Sequence, residues 1–199
     1  MSTKRPYTVV EIGPGYSFEP SPVLVNHVNK LPHEKIAYFA LDPLYATPVG
    51  NSSLAARAKK KFLQIGARIS RKPFGVEAVR KAARSGVRVD YVKYCAPQVL
   101  PFRNGAVDEM HVHSLLNSIQ YGGINHNPED FLQRAGAVLK ADGRLFFSGS
   151  PGNSFFELTR QTDHWFEQRG FTVDKRAGEA EAASFSRFSP DKLIILRKK

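Results

Sequence analysis

One cysteine, Cys95, occurs in the 199 residues. An internal disulfide is thereby excluded, and so is a metal centre built on cysteines, which needs several thiolates at short spacing. A lone cysteine fits a reducing compartment, and Cys95 reads better as a small packing residue at a strand end than as a nucleophile. Long apolar runs are missing as well: no window approaches the roughly 18 apolar residues of a membrane span. The opening Met1-Ser2-Thr3-Lys4-Arg5 leads into strand-like sequence and not into the apolar core of a signal peptide, so a cytoplasmic protein without membrane contact is expected. His, Asp and Glu are not clustered at ligand spacing, and no metal is expected.

Acids are scarce beside bases, 18 against 29, for a net charge of +11. The excess is local. Between Ser53 and Arg88 stand eleven Lys or Arg and a single acid, Glu77, which makes this segment +10. Such a field attracts polyanions or acidic substrates, although a solvated basic helix face has the same composition.

What is present is enough for one sizeable core: 42% hydrophobic residues, among them fourteen Phe. No internal repeat, low-complexity tract or linker divides the chain, so residues 1–199 read as one domain. The first strand is expected at Tyr7 to Ile12, where a short apolar run ends in Glu11-Ile12-Gly13-Pro14-Gly15. Two glycines spaced by one after a strand let backbone approach a ligand, and they equally serve any strand-to-helix turn. Ser21-Pro22 then provides a hydroxyl cap and a proline at the first helical position. A second strand, Ile36 to Leu41, is apolar throughout, as a strand buried on both faces should be. It stops at Asp42-Pro43. A carboxylate at that tip can accept both hydroxyl protons of a ribose held over the first turn, or it opens a turn before proline.

The basic segment follows. Leu54, Ala58, Phe62, Ile65 and Ile69 step by three or four and predict an amphipathic helix, with Arg57, Lys59, Lys60 and Lys61 around its other sides. Pro73 to Arg84 predicts a second helix closed by Gly86. Two helices where one crossover would suffice suggest a basic helical insertion at about residues 51–86, with Lys59, Lys60, Lys61 and Arg68 as its anion-facing candidates. Further strands are expected at Val87 to Tyr94, Val107 to Val112 and Arg144 to Ser148. Helices are expected from Pro128 to Leu139, with Asn127 as cap and Asp142-Gly143 beyond its end, and from Ser154 to Arg169. Phe171 to Lys175 and Leu193 to Leu196 are the final strands. Strands alternating with helices through most of the chain imply a doubly wound α/β domain with a mostly parallel sheet.

Glu11-x-Gly13-x-Gly15, the acid Asp42 after the second strand, Leu100-Pro101-Phe102 before Val107-Asp108, and Leu139-Lys140-Ala141-Asp142-Gly143-Arg144-Leu145 together resemble the motif series of class I S-adenosylmethionine-dependent methyltransferases. The motifs come in that family's order and span nearly the whole chain. The resemblance implies a seven-stranded sheet with an antiparallel terminal strand pair in three layers, α/β/α, and S-adenosyl-L-methionine as cofactor. It further implies that Gly13, Pro14, Gly15 and Tyr16 lie along the methionine part, that Glu11 holds its amino group through water or backbone and that Asp42 binds the ribose. Adenine would meet Ala96 and Gln98, because Cys95, Ala96 and Pro97 stand where the family often has an acid. A second departure is Ser17 in place of a third glycine. A dinucleotide-binding fingerprint fits less well: Phe18 occupies its third glycine position, and Asp42 lies 27 residues beyond Gly15.

Methyl transfer from a sulfonium needs in-line placement of the nucleophile more than it needs an acid or base. His111 and His113, two apart at the end of the fourth strand, would share one strand face; either could deprotonate a hydroxyl acceptor, or simply pack. His113 also lies where the family places residues near the methyl group. No Asn-Pro-Pro-Tyr-type segment follows that strand, which counts against amino-methylation of nucleic-acid bases by that subgroup. Two readings of function stand: a methyltransferase of unspecified acceptor, with RNA or another anionic substrate favoured by the basic segment, or a protein that keeps the fold, has lost turnover and binds nucleic acid through its basic helices.

Overall fold

The computed structural model describes residues 5–12, 35–41, 87–92, 100–113, 128–149, 157–178 and 192–199, with backbone alone at 87–92, at Ala40 and at His113. They form strands β1 (Tyr7–Ile12), β2 (Ile36–Leu41), β3 (Val87–Val92), β4 (Val107–His113), β5 (Leu139–Gly149), β6 (Phe171–Ala177) and β7 (Lys192–Lys198). Two α-helices are described, α1 (Pro128–Val138) and α2 (Asp163–Glu167).

The strands make one sheet in the order β3-β2-β1-β4-β5-β7-β6. Pairings from β3 to β5 are parallel, whereas β7 runs antiparallel to both β5 and β6. The bounds of β1 and β2 are those the sequence predicts. Both are near-continuous apolar runs because neighbours lie on either side and both faces are covered.

One face of the sheet is apolar in rows. Val10, Met110, Leu145 and Leu196 are successive register partners across β1, β4, β5 and β7, and Ile12, Val112, Phe147 and Ile194 form the next row but one. Against them α1 packs Phe131, Leu132, Ala135 and Val138, all fully buried. Phe131, Leu132 and Val138 each contribute roughly 1.5–3 kcal/mol by leaving water. The helix starts on proline, where no N–H is missed, and Glu129 and Asp130 in its first turn oppose the dipole. Arg134 on its side donates to the carbonyls of Leu100 (3.2 Å) and Phe102 (3.1 Å) and to Asn104 Oδ1 (3.2 Å), fastening the segment that leads into β4.

Two expectations are corrected. The sequence predicts strand five from Arg144, but β5 begins at Leu139, directly after α1, and pairs there with Val107 before the register shifts between Val107 and Glu109. Asp142-Gly143 therefore lies inside an irregular stretch of the strand and does not follow the helix. Asp142 has φ 61°, and Lys140 reaches the Asp108 carboxylate, which also accepts from Thr8 N (2.8 Å) and Arg5 (3.0 Å). The single helix expected over 154–169 is, in its described part, a 3-10 turn at Glu157–Arg160 and the short α2. Thr162 between them is extended (φ −74°, ψ 159°), and its hydroxyl accepts from Trp165 N at 3.2 Å as the α2 cap. Arg176 of β6 takes the carbonyls of Thr159 (3.2 Å) and Gln161 (2.7 Å), which a continuous helix would have needed for itself. The helices expected after Ser21, over 54–69 and over 73–84 lie outside the described residues.

Candidate functional site

Chain connectivity reverses direction between β1 and β4: β1 has β2 on one side and β4 on the other. In open α/β sheets a ligand crevice forms at that point, outside the carboxyl ends of the strands. Three strand ends meet there at one level, since Ile12 is the register partner of both Leu41 and Val112. In sequence, Gly13 and Asp42 are the residues that come directly after β1 and β2. His113 follows Val112 as the last residue of β4, so the strand does reach both histidines.

The face opposite α1 differs in chemistry. Glu11 and His111 are register partners one residue before the crevice, and Val9 and Glu109 are partners one step below them. Glu11 is buried, 5% exposed, and accepts a hydrogen bond from the hydroxyl of Tyr38 on β2. His111 has no exposure; its Nε2 donates to Glu109 Oε1 at 2.7 Å and its ring stacks on Phe146 with centroids 4.3 Å apart. Oε2 of Glu109 accepts from Tyr7 Oη (2.9 Å) and from the Arg144 guanidinium (3.2 Å). Glu109 is thus a fully buried carboxylate with three donors, the condition under which a buried charge is tolerated.

Titration follows this arrangement. Burial, and then the adjacent Glu109 carboxylate, push the Tyr7 phenol far above its ordinary range. Half-burial works against the charge on Arg144, but the Glu109 carboxylate, with help from Tyr7, outweighs it and raises the guanidinium further. Tyr7 is consequently a neutral donor and Arg144 a fixed cation.

Of the residues the sequence singles out, the structure brings Glu11, His111 and the backbone of His113 to the carboxyl ends of β1 and β4. Gly13, Pro14, Gly15, Tyr16, Asp42, Ala96, Gln98, Lys59, Lys60, Lys61 and Arg68 lie outside the described residues, as does the side chain of His113. Tyr38, Tyr7, Glu109 and Arg144 were not anticipated. The acid two residues before His111 was the available signal, because positions i and i+2 share a strand face. Among the described residues no group of three or more His, Cys, Asp or Glu could hold a metal ion, and no helix is long and apolar enough to cross a membrane.

No protein-family model matches the sequence, and neither does any curated protein. Solved structures do match. A protein from Listeria monocytogenes assigned as an S-adenosylmethionine-dependent methyltransferase is 15% identical with TM-score 0.51, over 97% of this chain and 91% of that one. The 16S rRNA methyltransferase KamB is 17% identical with TM-score 0.51, over 97% of this chain and 88% of that one. A complex of the Haloferax volcanii Trm112 methyltransferase activator with a protein assigned as a methyltransferase gives 13% identity and TM-score 0.50, over 100% of this chain and 84% of the other. This strand order defines an open α/β fold with a topological switch point between β1 and β4. It is the fold of the class I S-adenosylmethionine-dependent methyltransferases.

Proposed function

We propose that the chain is an S-adenosyl-L-methionine-dependent methyltransferase, built as a single three-layer α/β/α domain and working in the cytoplasm. The observation that carries this reading is the level alignment of Ile12, Leu41 and Val112 at the switch point; in sequence, the Glu11-x-Gly13-x-Gly15 motif begins within β1 and Asp42 comes directly after β2. Glu11 fits the cofactor's ammonium: it is a carboxylate two residues before Gly13, already supplied with one donor by Tyr38. Gly13, Pro14, Gly15 and Tyr16 would line the methionine part, Asp42 the ribose, and Ala96 with Gln98 the adenine. When bound, the sulfonium supplies the electrophilic methyl group, and the protein's task is placement.

If the acceptor is a hydroxyl, the arrangement favours His113 over His111 as its base. His111 is fully buried and engaged by Glu109, whereas His113 ends the strand at the crevice. An RNA or another anionic acceptor is supported by the +10 segment between Ser53 and Arg88, with Lys59, Lys60, Lys61 and Arg68 as contacts, and one fold neighbour acts on 16S rRNA. The second reading, a nucleic-acid-binding protein of this fold without turnover, is supported by the same basic segment and by the missing acid before Leu100.

Calorimetry with S-adenosylhomocysteine separates the two. Micromolar binding that Asp42→Ala weakens at least about tenfold is expected for the enzyme, in line with the loss of a charged hydrogen-bond acceptor; no binding at high micromolar ligand selects the second reading. Charge reversal at Lys59, Lys60 and Lys61 should lower retention on RNA in either case, and unchanged retention discards the polyanion partner. Labelled methyl donor with fractionated RNA, protein and metabolites then identifies the acceptor.

A further inference from the structure

Tyr38 is fully buried on β2, and its register partner on β1 is Val9, two residues before Glu11. Its phenol therefore runs along the sheet face towards the carboxyl ends, and the hydroxyl donates to Oε2 of Glu11. Glu11 is itself the last residue of β1 on this face, two residues before Gly13 in sequence. A glutamate has three side-chain torsions and would sample several rotamers at a strand end; a phenol fixed by complete burial removes that freedom. We propose that Tyr38 is a positioning residue: its hydroxyl holds the Glu11 carboxylate in the orientation that receives the α-ammonium of the methyl donor. Tyr38 thereby strengthens binding of the amino-acid half of the ligand alone. This rests on the methyl-donor reading above. Tyr38 touches neither the sulfonium nor the acceptor in this account, so it acts through Glu11.

A merely structural tyrosine would affect every ligand of the crevice alike, and two ligands tell the cases apart. S-adenosylhomocysteine carries the α-ammonium, whereas 5′-methylthioadenosine keeps the adenosine and the sulfur without it. Titration calorimetry of the full chain should show Tyr38→Phe losing about tenfold in affinity for S-adenosylhomocysteine, the order expected for a hydrogen bond to a charged group. Affinity for 5′-methylthioadenosine should stay within about twofold, the size of a few tenths of a kcal/mol. Glu11→Gln should reproduce the selective loss, and the double variant should lose no more than Glu11→Gln alone. Because both ligands titrate the same folded molecules, the ratio of affinities is read correctly even where a substitution lowers the folded fraction. Equal losses for the two ligands, additive losses in the double variant, or a Tyr38→Phe protein that binds both as the parent does would each overturn the positioning role. A parent chain that binds neither ligand overturns the methyl-donor reading itself, which is a different result.

Discussion

His111 Nε2 lies 2.7 Å from Glu109 Oε1, and neither side chain reaches solvent. The contact joins two residues on one face of β4 and makes Glu109 the hub for His111, Tyr7 and Arg144. Glu109→Ala would leave three buried or half-buried donors without their acceptor, and breaking such a group from one side costs about 3–5 kcal/mol. Glu109→Gln keeps one acceptor oxygen and should cost less. Urea unfolding of both variants measures this, and a loss below about 1 kcal/mol for Glu109→Ala, the scale of a surface pair, would show that the network contributes little.

The Tyr7 phenol titrates far above its usual value of about 10, first because it is buried and then because it faces Glu109. An unfolded chain releases the Tyr7 proton above pH ~10 while the folded chain holds it, so the folded state binds more protons there. The stability from this group is fully present below pH ~10 and is lost as pH rises beyond it. Stability measured in denaturant between pH 8 and 11 should therefore fall less steeply for Tyr7→Phe than for the parent. Parallel curves would mean that Tyr7 ionises alike in both states.

Much of the architecture was legible because its signals are local. The apolar runs of β1 and β2 end at Glu11-Ile12-Gly13 and Leu41-Asp42, and the Pro128 start of α1 with Phe131, Leu132, Ala135 and Val138 reads directly as a capped amphipathic helix. The helix over 154–169 was misread because Phe155, Thr159, Thr162 and Phe166 keep helical spacing; nothing nearby reveals that Arg176, 14 residues after Thr162, competes for the carbonyls of Thr159 and Gln161. The polar face was hidden for a similar reason. Tyr7, Glu109 and Arg144 are more than thirty residues apart, with a separation of 102 between the first two, and a charged residue in a strand ordinarily signals an exposed face. Gly13, Gly15 and Asp42 rest on motif alone: they lie outside the described residues, and the structure gives only the strand ends at Ile12 and Leu41 that precede them in sequence.

Asp142 and Gly143 make opposite predictions within the irregular stretch of β5. A Cβ on Gly143 would stand 2.9 Å from the Lys140 carbonyl oxygen, a backbone atom that cannot swing aside. Gly143→Ala should destabilise by about 1–3 kcal/mol, as overpacking does. Asp142 at φ 61° occupies a region that glycine enters without steric cost. Asp142→Gly relieves that strain while giving the unfolded chain more freedom, so its net effect should fall between none and a gain of about 1 kcal/mol. Thermal unfolding of the pair decides the matter; a Gly143→Ala protein as stable as the parent would show that the irregular stretch of β5 can open to admit a methyl group.

Arg134 tests how the segment before β4 is held. Its guanidinium binds two backbone carbonyls and a side-chain oxygen across residues 100–104. The same segment is anchored on its other side by Phe102, whose ring meets Phe39 of β2 edge to face at 5.2 Å. Because the aromatic contact survives in Arg134→Met, which also keeps most of the aliphatic stem, the segment should loosen without detaching. A stability loss of about 1–2 kcal/mol is expected, less than the sum of three bonds, since the freed carbonyls of a surface segment regain water. Limited proteolysis should then cut first near Arg103 at an enzyme concentration that leaves the parent intact. Cleavage starting elsewhere at unchanged stability would assign the anchoring to Phe102 alone.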